Sequence, residues 1–102
     1  MHPMIQERLP ELFALCRRYH VKRLELFGSA TGPRFDPDRS DLDFLVEYLP
    51  APDADPWNQF FGFKADLAAL FGRKVDLVET AAIRNRFFRE EVEETRVPVY
   101  AA

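Results

Sequence analysis

The chain of 102 residues carries 14 basic and 17 acidic side chains, a formal net charge of −3, and 47% hydrophobic residues. This length predicts one domain, residues 1–102, with enough apolar material for a buried core. The acidic balance argues against a broad nucleic-acid-binding face, so we expect no direct nucleic acid partner. No apolar run approaches the roughly 18 residues of a membrane-spanning helix, so we expect no membrane association. The single cysteine, Cys16, excludes an internal disulfide and favours the cytoplasm.

The first half of the chain predicts one helix followed by two strands. Apolar residues recur at helical spacing over residues 4–19. Pro10 lies inside this pattern, so the helix either bends there or begins near Leu9. Residues 21–27 and 42–48 are rich in strand-forming residues and predict β-strands.

An irregular connector and a capped helix follow. Residues 49–56 are acidic and proline-rich, which predicts a connector without regular structure. Asp55 is a helix-capping residue, Pro56 suits a first helical position, and Gly72 marks the end of the helix. Residues 74–79 predict a third strand. The predicted face of the helix consists of Trp57, Phe60, Phe61, Lys64, Leu67, Ala68 and Phe71, and we expect it to pack in the core, although its aromatic part could also dock a partner.

The end of the chain predicts a last helix over residues 85–96, with Phe87, Phe88 and Val92 facing inward. Its acidic run is typical of a solvated helix face. The final Val-Pro-Val-Tyr predicts an edge strand, because Pro98 cannot donate to a central ladder. Together these elements predict an α/β or α+β fold, a small mixed β-sheet flanked by helices.

Two aspartates stand two residues apart at the start of the second predicted strand. Strand geometry points the carboxylates of Asp41 and Asp43 to one face, opposite Leu42, Phe44 and Val46. Two ionised carboxylates 4 to 5 Å apart repel by about 3 to 4 kcal/mol at an effective dielectric near 20. A divalent cation with oxygen ligands would convert this repulsion into binding. Alone, the pair is weak evidence, because strand starts often expose acidic residues.

Two further features favour a phosphate and metal site. Gly28 and Ser29 follow the first strand, where glycine permits close approach of the backbone and the serine hydroxyl and following amides can donate to phosphate. Asp76 lies inside the third strand between apolar residues, a position at which an acid needs a partner. We therefore interpret these residues as one site at the edge of the sheet.

The stretch LFGSATGPRFDPDRSDLDFLVE, with the later KVDLVE, resembles the minimal nucleotidyltransferases of the DNA polymerase β superfamily. RRYHVKRLELFGS and IRNRFFREEVEETRVPVYAA are similar to the antitoxin branch, which is encoded beside HEPN-domain toxins. The resemblance implies a polymerase-β-like fold. It also implies that Gly28 and Ser29 hold the β- and γ-phosphates of ATP and that Asp41 and Asp43 bind two Mg²⁺ ions. Asp76 would complete one metal site and take the proton of the acceptor hydroxyl.

The implied activity is Mg²⁺-dependent transfer of AMP from ATP to a HEPN toxin, on a tyrosine hydroxyl. Larger relatives carry a helical domain that holds the acceptor, whereas this chain has little room for one, so another protein is expected to present it in a hetero-oligomer. Residues 30–33 read Ala-Thr-Gly-Pro where many relatives have Ala-Arg-Gly, although Arg34 or Arg39 could substitute. This departure leaves open a non-catalytic antitoxin that neutralises its toxin by direct contact. A sugar-nucleotide transferase is excluded, because the chain is too short for its nucleotide domain.

Overall fold

A computed structural model describes residues 2–33 and 35–102 of the chain. The strands are β1 (Val21–Phe27), β2 (Leu42–Tyr48), β3 (Val75–Glu79) and β4 (Val97–Ala101), and the helices are α1 (Pro3–Gln6), α2 (Leu9–Arg18), α3 (Pro56–Phe71) and α4 (Arg86–Thr95). The strands form one sheet in the order β3-β2-β1-β4. β2 runs antiparallel to β1 and parallel to β3, and β4 runs antiparallel to β1. The predicted small mixed sheet is therefore confirmed, and β4 is the predicted edge strand.

The predicted helix boundaries follow from their capping residues. The first helical segment is interrupted, and Pro10 lies in the first turn of α2, so the alternative of a helix beginning at Leu9 is correct. The Asp55 carboxylate accepts a hydrogen bond from the Trp57 N–H at 3.0 Å, and Gly72 ends α3 in the left-handed conformation. Within the described part of the chain, no helix combines the length and apolar character needed to cross a membrane.

The two faces of the sheet carry separate apolar clusters. Leu42, Phe44 and Val46 of β2 are fully buried in the larger cluster, which packs with α2 and α3. The smaller cluster lies on the opposite face, where its buried members are Phe27, Leu45 and Val92. Because α4 contributes Val92, it covers the face of β2 to which Asp43 belongs, and this face carries the candidate site.

The predicted inward faces of α3 and α4 are partly wrong. Trp57 is 71% exposed and Phe61 is 45% exposed, whereas the buried residues of α3 are Phe63, Leu67 and Phe71. Apolar residues occupy most of the circumference of α3, so spacing alone could not select the packed stripe. In α4, Phe88 packs against the smaller cluster, but Phe87 is 74% exposed. Phe88 and Val92 are four residues apart and share one stripe, from which Phe87 is rotated by about 100°.

Candidate nucleotide site

The end of β1 lies beside the starts of β2 and β3. Phe27, the last residue of β1, pairs with Asp43, and Asp43 pairs in parallel register with Asp76. The turn that begins at Gly28 therefore follows directly from the strand position next to Asp43. Strand register thus brings Gly28, Asp43 and Asp76 together from three different parts of the sequence.

Asp43 is the most strongly perturbed acid of this region. Burial is the largest of several effects that together raise the pKa of the Asp43 carboxyl to about 6; the others are the charge of Asp76, a hydrogen bond with Asp76, and the charges of Asp41 and Glu91. Each of these effects disfavours the ionised carboxylate. A bound cation would reverse the balance, so crowded hard oxygen donors of this kind fit a divalent metal ion.

Asp41 is placed differently from Asp43. It precedes the first residue of β2, and its Oδ2 lies 3.8 Å from the Nζ of Lys74, with both side chains substantially exposed. The structure thus pairs Asp43 with Asp76, while Asp41 contacts a lysine at the edge of the site. Within residues 2–33 and 35–102, no group of three or more histidine, cysteine or acidic side chains is arranged to hold a metal ion. The three-aspartate metal site therefore stays a prediction.

Gly28 is a position at which only glycine fits. Its φ is +75°, and a Cβ added there would lie 2.5 Å from Oδ2 of Asp43. A side chain would therefore be strained by the backbone and would also displace the carboxylate. The Gly28 N–H donates a hydrogen bond to Oγ1 of Thr95 at 2.9 Å. The absence of a side chain is what allows the turn to approach the acid so closely.

A cavity of about 440 Å³ opens beside this turn, and its lining residues are Gly28, Ser29, Thr31, Gly32, Pro33, Glu91 and Thr95. Residues Gly28–Thr31 form a single 3-10 turn, in which the Thr31 hydroxyl donates to the Gly28 carbonyl at 2.8 Å. The volume is within the range of small-ligand pockets, roughly 300 to 1,000 Å³. Arg39 is exposed and does not line the cavity, and Arg34 lies outside the described residues.

The loop between the turn and β2 is held by Arg73, which follows α3. Its Nη1 donates to the Ser40 carbonyl at 3.0 Å, its Nη2 donates to the Pro37 carbonyl, and its guanidinium lies 5.3 Å from the centre of the Phe35 ring. These contacts fix the segment that leads into Asp41. Sequence reasoning missed Arg73 because its partners are more than 30 residues away and are mostly backbone atoms.

Two further residues of the site were missed on α4. Glu91 and Thr95 line the cavity, although the acidic run of α4 was interpreted as a solvated face. That interpretation is right for the whole run, because all four acids are exposed, and Glu91 differs only in that it also lines the cavity. No local signal separates Glu91 from its acidic neighbours, because the distinction depends on how α4 crosses the sheet.

The chain is similar in sequence and in fold to known nucleotidyltransferases. The sequence profile of the family described as "Nucleotidyltransferase domain" matches residues 12–99. The "Putative protein adenylyltransferase MJ0128" of Methanocaldococcus jannaschii is 36% identical over 85 residues, 83% of each chain. A solved structure of a "putative minimal nucleotidyltransferase" superposes with a TM-score of 0.72 and 26% identity, covering 92% of this chain and 91% of the other.

A second similar structure is the MNT antitoxin complex with a tri-AMPylated HEPN toxin from Shewanella oneidensis. The match has a TM-score of 0.64 and 19% identity over 95% of this chain and 72% of the other. At this identity the likeness concerns the fold alone. The matches together confirm the family resemblance and the fold predicted from the sequence. The chain therefore belongs to the nucleotidyltransferase domain family and is a nucleotidyltransferase with the minimal fold of that family.

Proposed function

We propose that this nucleotidyltransferase transfers AMP from ATP to a hydroxyl group of a partner protein. The observation that carries the proposal is the convergence of the Gly28 turn with Asp43 and Asp76 beside the cavity. A turn that begins at a glycine and presents a serine hydroxyl suits a phosphate chain, and crowded carboxylates suit the metal ions that accompany ATP. The adenylyltransferase name of the Methanocaldococcus relative agrees with this assignment.

Each residue has a distinct proposed role. The Ser29 hydroxyl and the amides that follow it bind the β- and γ-phosphates, and Gly28 keeps the space beside Asp43 free. Asp43 and Asp76, with Asp41, would hold two Mg²⁺ ions, which neutralise phosphate charge when bound. Asp76 also receives the proton of the acceptor hydroxyl. The acceptor oxygen then bonds to the α-phosphorus as the bond to the bridging oxygen breaks, and pyrophosphate leaves.

The proposed acceptor is a tyrosine of a HEPN toxin, so that the chain acts as an antitoxin. Support comes from the Shewanella complex, in which an AMPylated HEPN toxin is bound to an MNT antitoxin of the same fold. The proposal includes a hetero-oligomer with the toxin in the cytoplasm, where ATP is available. It also treats the chain as one nucleotidyltransferase domain.

One observation favours a second candidate, a non-catalytic antitoxin that acts by contact. The cavity lining includes Thr31, Gly32 and Pro33, at the place where the family resemblance implies an arginine-containing segment. Within the described residues, this lining contains no basic side chain to contact phosphate. If that arginine is essential for catalysis, this chain would keep the fold of the family without its activity.

AMP transfer to a HEPN toxin separates the two candidates. The toxin is incubated with Mg²⁺–ATP and either the wild type, Asp43→Asn or the matched control Asp38→Asn, an exposed acid of the preceding loop. Intact mass spectrometry then measures the gain of AMP on the toxin. We expect modification with the wild type and the control but not with Asp43→Asn. Toxin inhibition without any mass gain would support the non-catalytic candidate and contradict AMP transfer.

A further inference from the structure

We propose that Thr95 is a positioning residue for the nucleotide, acting through the Gly28–Ser29 turn. Its Oγ1 accepts a hydrogen bond from the Gly28 N–H at 2.9 Å and donates one to the Glu91 carbonyl at 2.9 Å. The role in nucleotide binding depends on the proposed function of the cavity, whereas the role in holding the turn does not.

The Thr95 hydroxyl is well suited to this role because it acts as donor and acceptor at once. A hydroxyl has one proton to donate, and Thr95 gives it to its own helix, which orients the oxygen lone pairs. The Gly28 N–H then bonds to a residue 67 positions away in the sequence. The turn, whose Ala30 is buried in the larger apolar cluster, is thereby also joined to α4.

The end of α4 is itself firmly attached to the sheet. Arg96 donates from Nη2 to Oε1 of Glu25 at 2.6 Å and from Nε to Oε2 of Glu25 at 2.7 Å, a bidentate pair. Glu25 is 5% exposed and belongs to β1, the strand that ends at the turn. Consecutive residues of α4 and its cap therefore contact the strand and the turn, so Thr95 holds the turn from a rigid support.

The hydrogen bond from the Gly28 N–H to Thr95 also affects the cavity and the Asp43 carboxylate beside it. Thr95 and Glu91 form one wall of the cavity and the turn forms the other. Loss of the Thr95 hydrogen bond would leave the Gly28 N–H unpaired and free the turn to shift relative to Asp43. Because an unmade hydrogen bond of this kind costs on the order of tenfold in an equilibrium constant, we expect a loss of affinity of that size.

The test compares Thr95→Val, which keeps the shape but loses both hydrogen bonds, with Thr95→Ser, which retains them. Thr80→Val is the matched control, because its hydroxyl contacts only the Val46 carbonyl, at 3.4 Å and away from the cavity. Calorimetry measures the Kd of Mg²⁺–AMP-PNP, and amide hydrogen exchange measures protection of the Gly28 N–H without ligand. We expect Thr95→Val to raise Kd about tenfold and to speed Gly28 exchange, whereas Thr95→Ser and Thr80→Val should resemble the wild type.

The two readouts separate failure of this inference from failure of the proposed function. If the wild type does not bind AMP-PNP, the nucleotide site is wrong, and Gly28 exchange still decides whether Thr95 holds the turn. If the wild type binds but Thr95→Val has an unchanged Kd, the positioning role is overturned. If Thr95→Val does not fold, hydrogen exchange of the Gly28 amide in the wild type is the test. An unprotected Gly28 amide would overturn the role of Thr95 in holding the turn.

Discussion

At the scale of single residues, the position of Gly28 does not tolerate a side chain. Gly28→Ala places an L side chain in the left-handed region, at a cost of about 1 to 2 kcal/mol, and pushes its Cβ against the Asp43 carboxylate. We therefore expect a modest loss of stability and a nearly complete loss of AMP transfer. Gly72→Ala is the control, because Gly72 has a similar φ of +62°, no non-neighbouring atom of the described residues lies within 4 Å of a Cβ built there, and it does not line the cavity. Wild-type transfer by Gly28→Ala would contradict the close approach of the turn to the acid.

Asp43 should also make the stability of the metal-free protein depend on pH. Its pKa of about 6 in the folded protein exceeds the ordinary 3.8, so folding favours the protonated form. The associated stability is fully present below the ordinary pKa and is lost as pH rises through about 6. Thermal melting of the metal-free wild type should therefore show a lower Tm at pH 7 than at pH 5. Asp43→Asn should show a smaller change, and parallel curves for the two proteins would contradict the crowding of this carboxyl.

At the scale of elements, the attachment of α4 to β1 depends on the ion pair between the buried Glu25 and the partly exposed Arg96. Glu25→Gln removes the buried charged partner of Arg96, whose side chain is 30% exposed, and weakens two charge-assisted hydrogen bonds, at a cost of about 1 to 3 kcal/mol. Glu93→Gln is the matched control, because Glu93 also contacts Arg96, at 3.1 Å, but its side chain is 62% exposed. Urea denaturation should show a large loss of unfolding free energy for Glu25→Gln and little for Glu93→Gln. Equal losses would contradict the structural role of the pair.

The stability that Glu25 of this ion pair contributes depends on pH in the direction opposite to that of Asp43. Hydrogen bonds from Arg96 lower the pKa of Glu25 below its ordinary value. The stability from Glu25 is therefore present above the ordinary pKa of 4.5 and is lost as pH falls through the lower folded value. It stays constant between pH 5 and pH 7, so the two effects can be measured separately.

The elements also show what sequence patterns could predict. β1 and β2 match residues 21–27 and 42–48, because runs of strand formers are bounded there by turn-forming residues. α3 begins and ends as its capping residues predict. Its packed stripe was not predictable, because Phe, Ala and Leu surround most of the helix and only contact with the sheet selects Phe63 over Phe61. Glu25 looks like an ordinary strand acid, since its partner is 71 positions away.

At the scale of the whole molecule, the site was predictable as a set of residues but not as an arrangement. Gly28, Asp43 and Asp76 could be placed at one end of the sheet from their positions relative to the strands. The position of Asp41 near Lys74 and the contribution of α4 depend on the loop path and on helix placement. Neither leaves a periodic signal in the sequence, so Glu91, Thr95 and Arg73 could be assigned only from tertiary contacts.

The most direct test of the account is to locate the metal and nucleotide on the folded protein. Mn²⁺, a paramagnetic substitute for Mg²⁺, is titrated with AMP-PNP into the isotope-labelled protein, and line broadening is recorded for each amide by nuclear magnetic resonance. We predict early loss of the signals of Gly28, Asp43 and Asp76, with the exposed Trp57 indole unaffected, and loss of the effect in Asp43→Asn. Broadening centred on the acidic connector before α3, or equal broadening in Asp43→Asn, would contradict the assignment of this end of the sheet as the nucleotidyltransferase site.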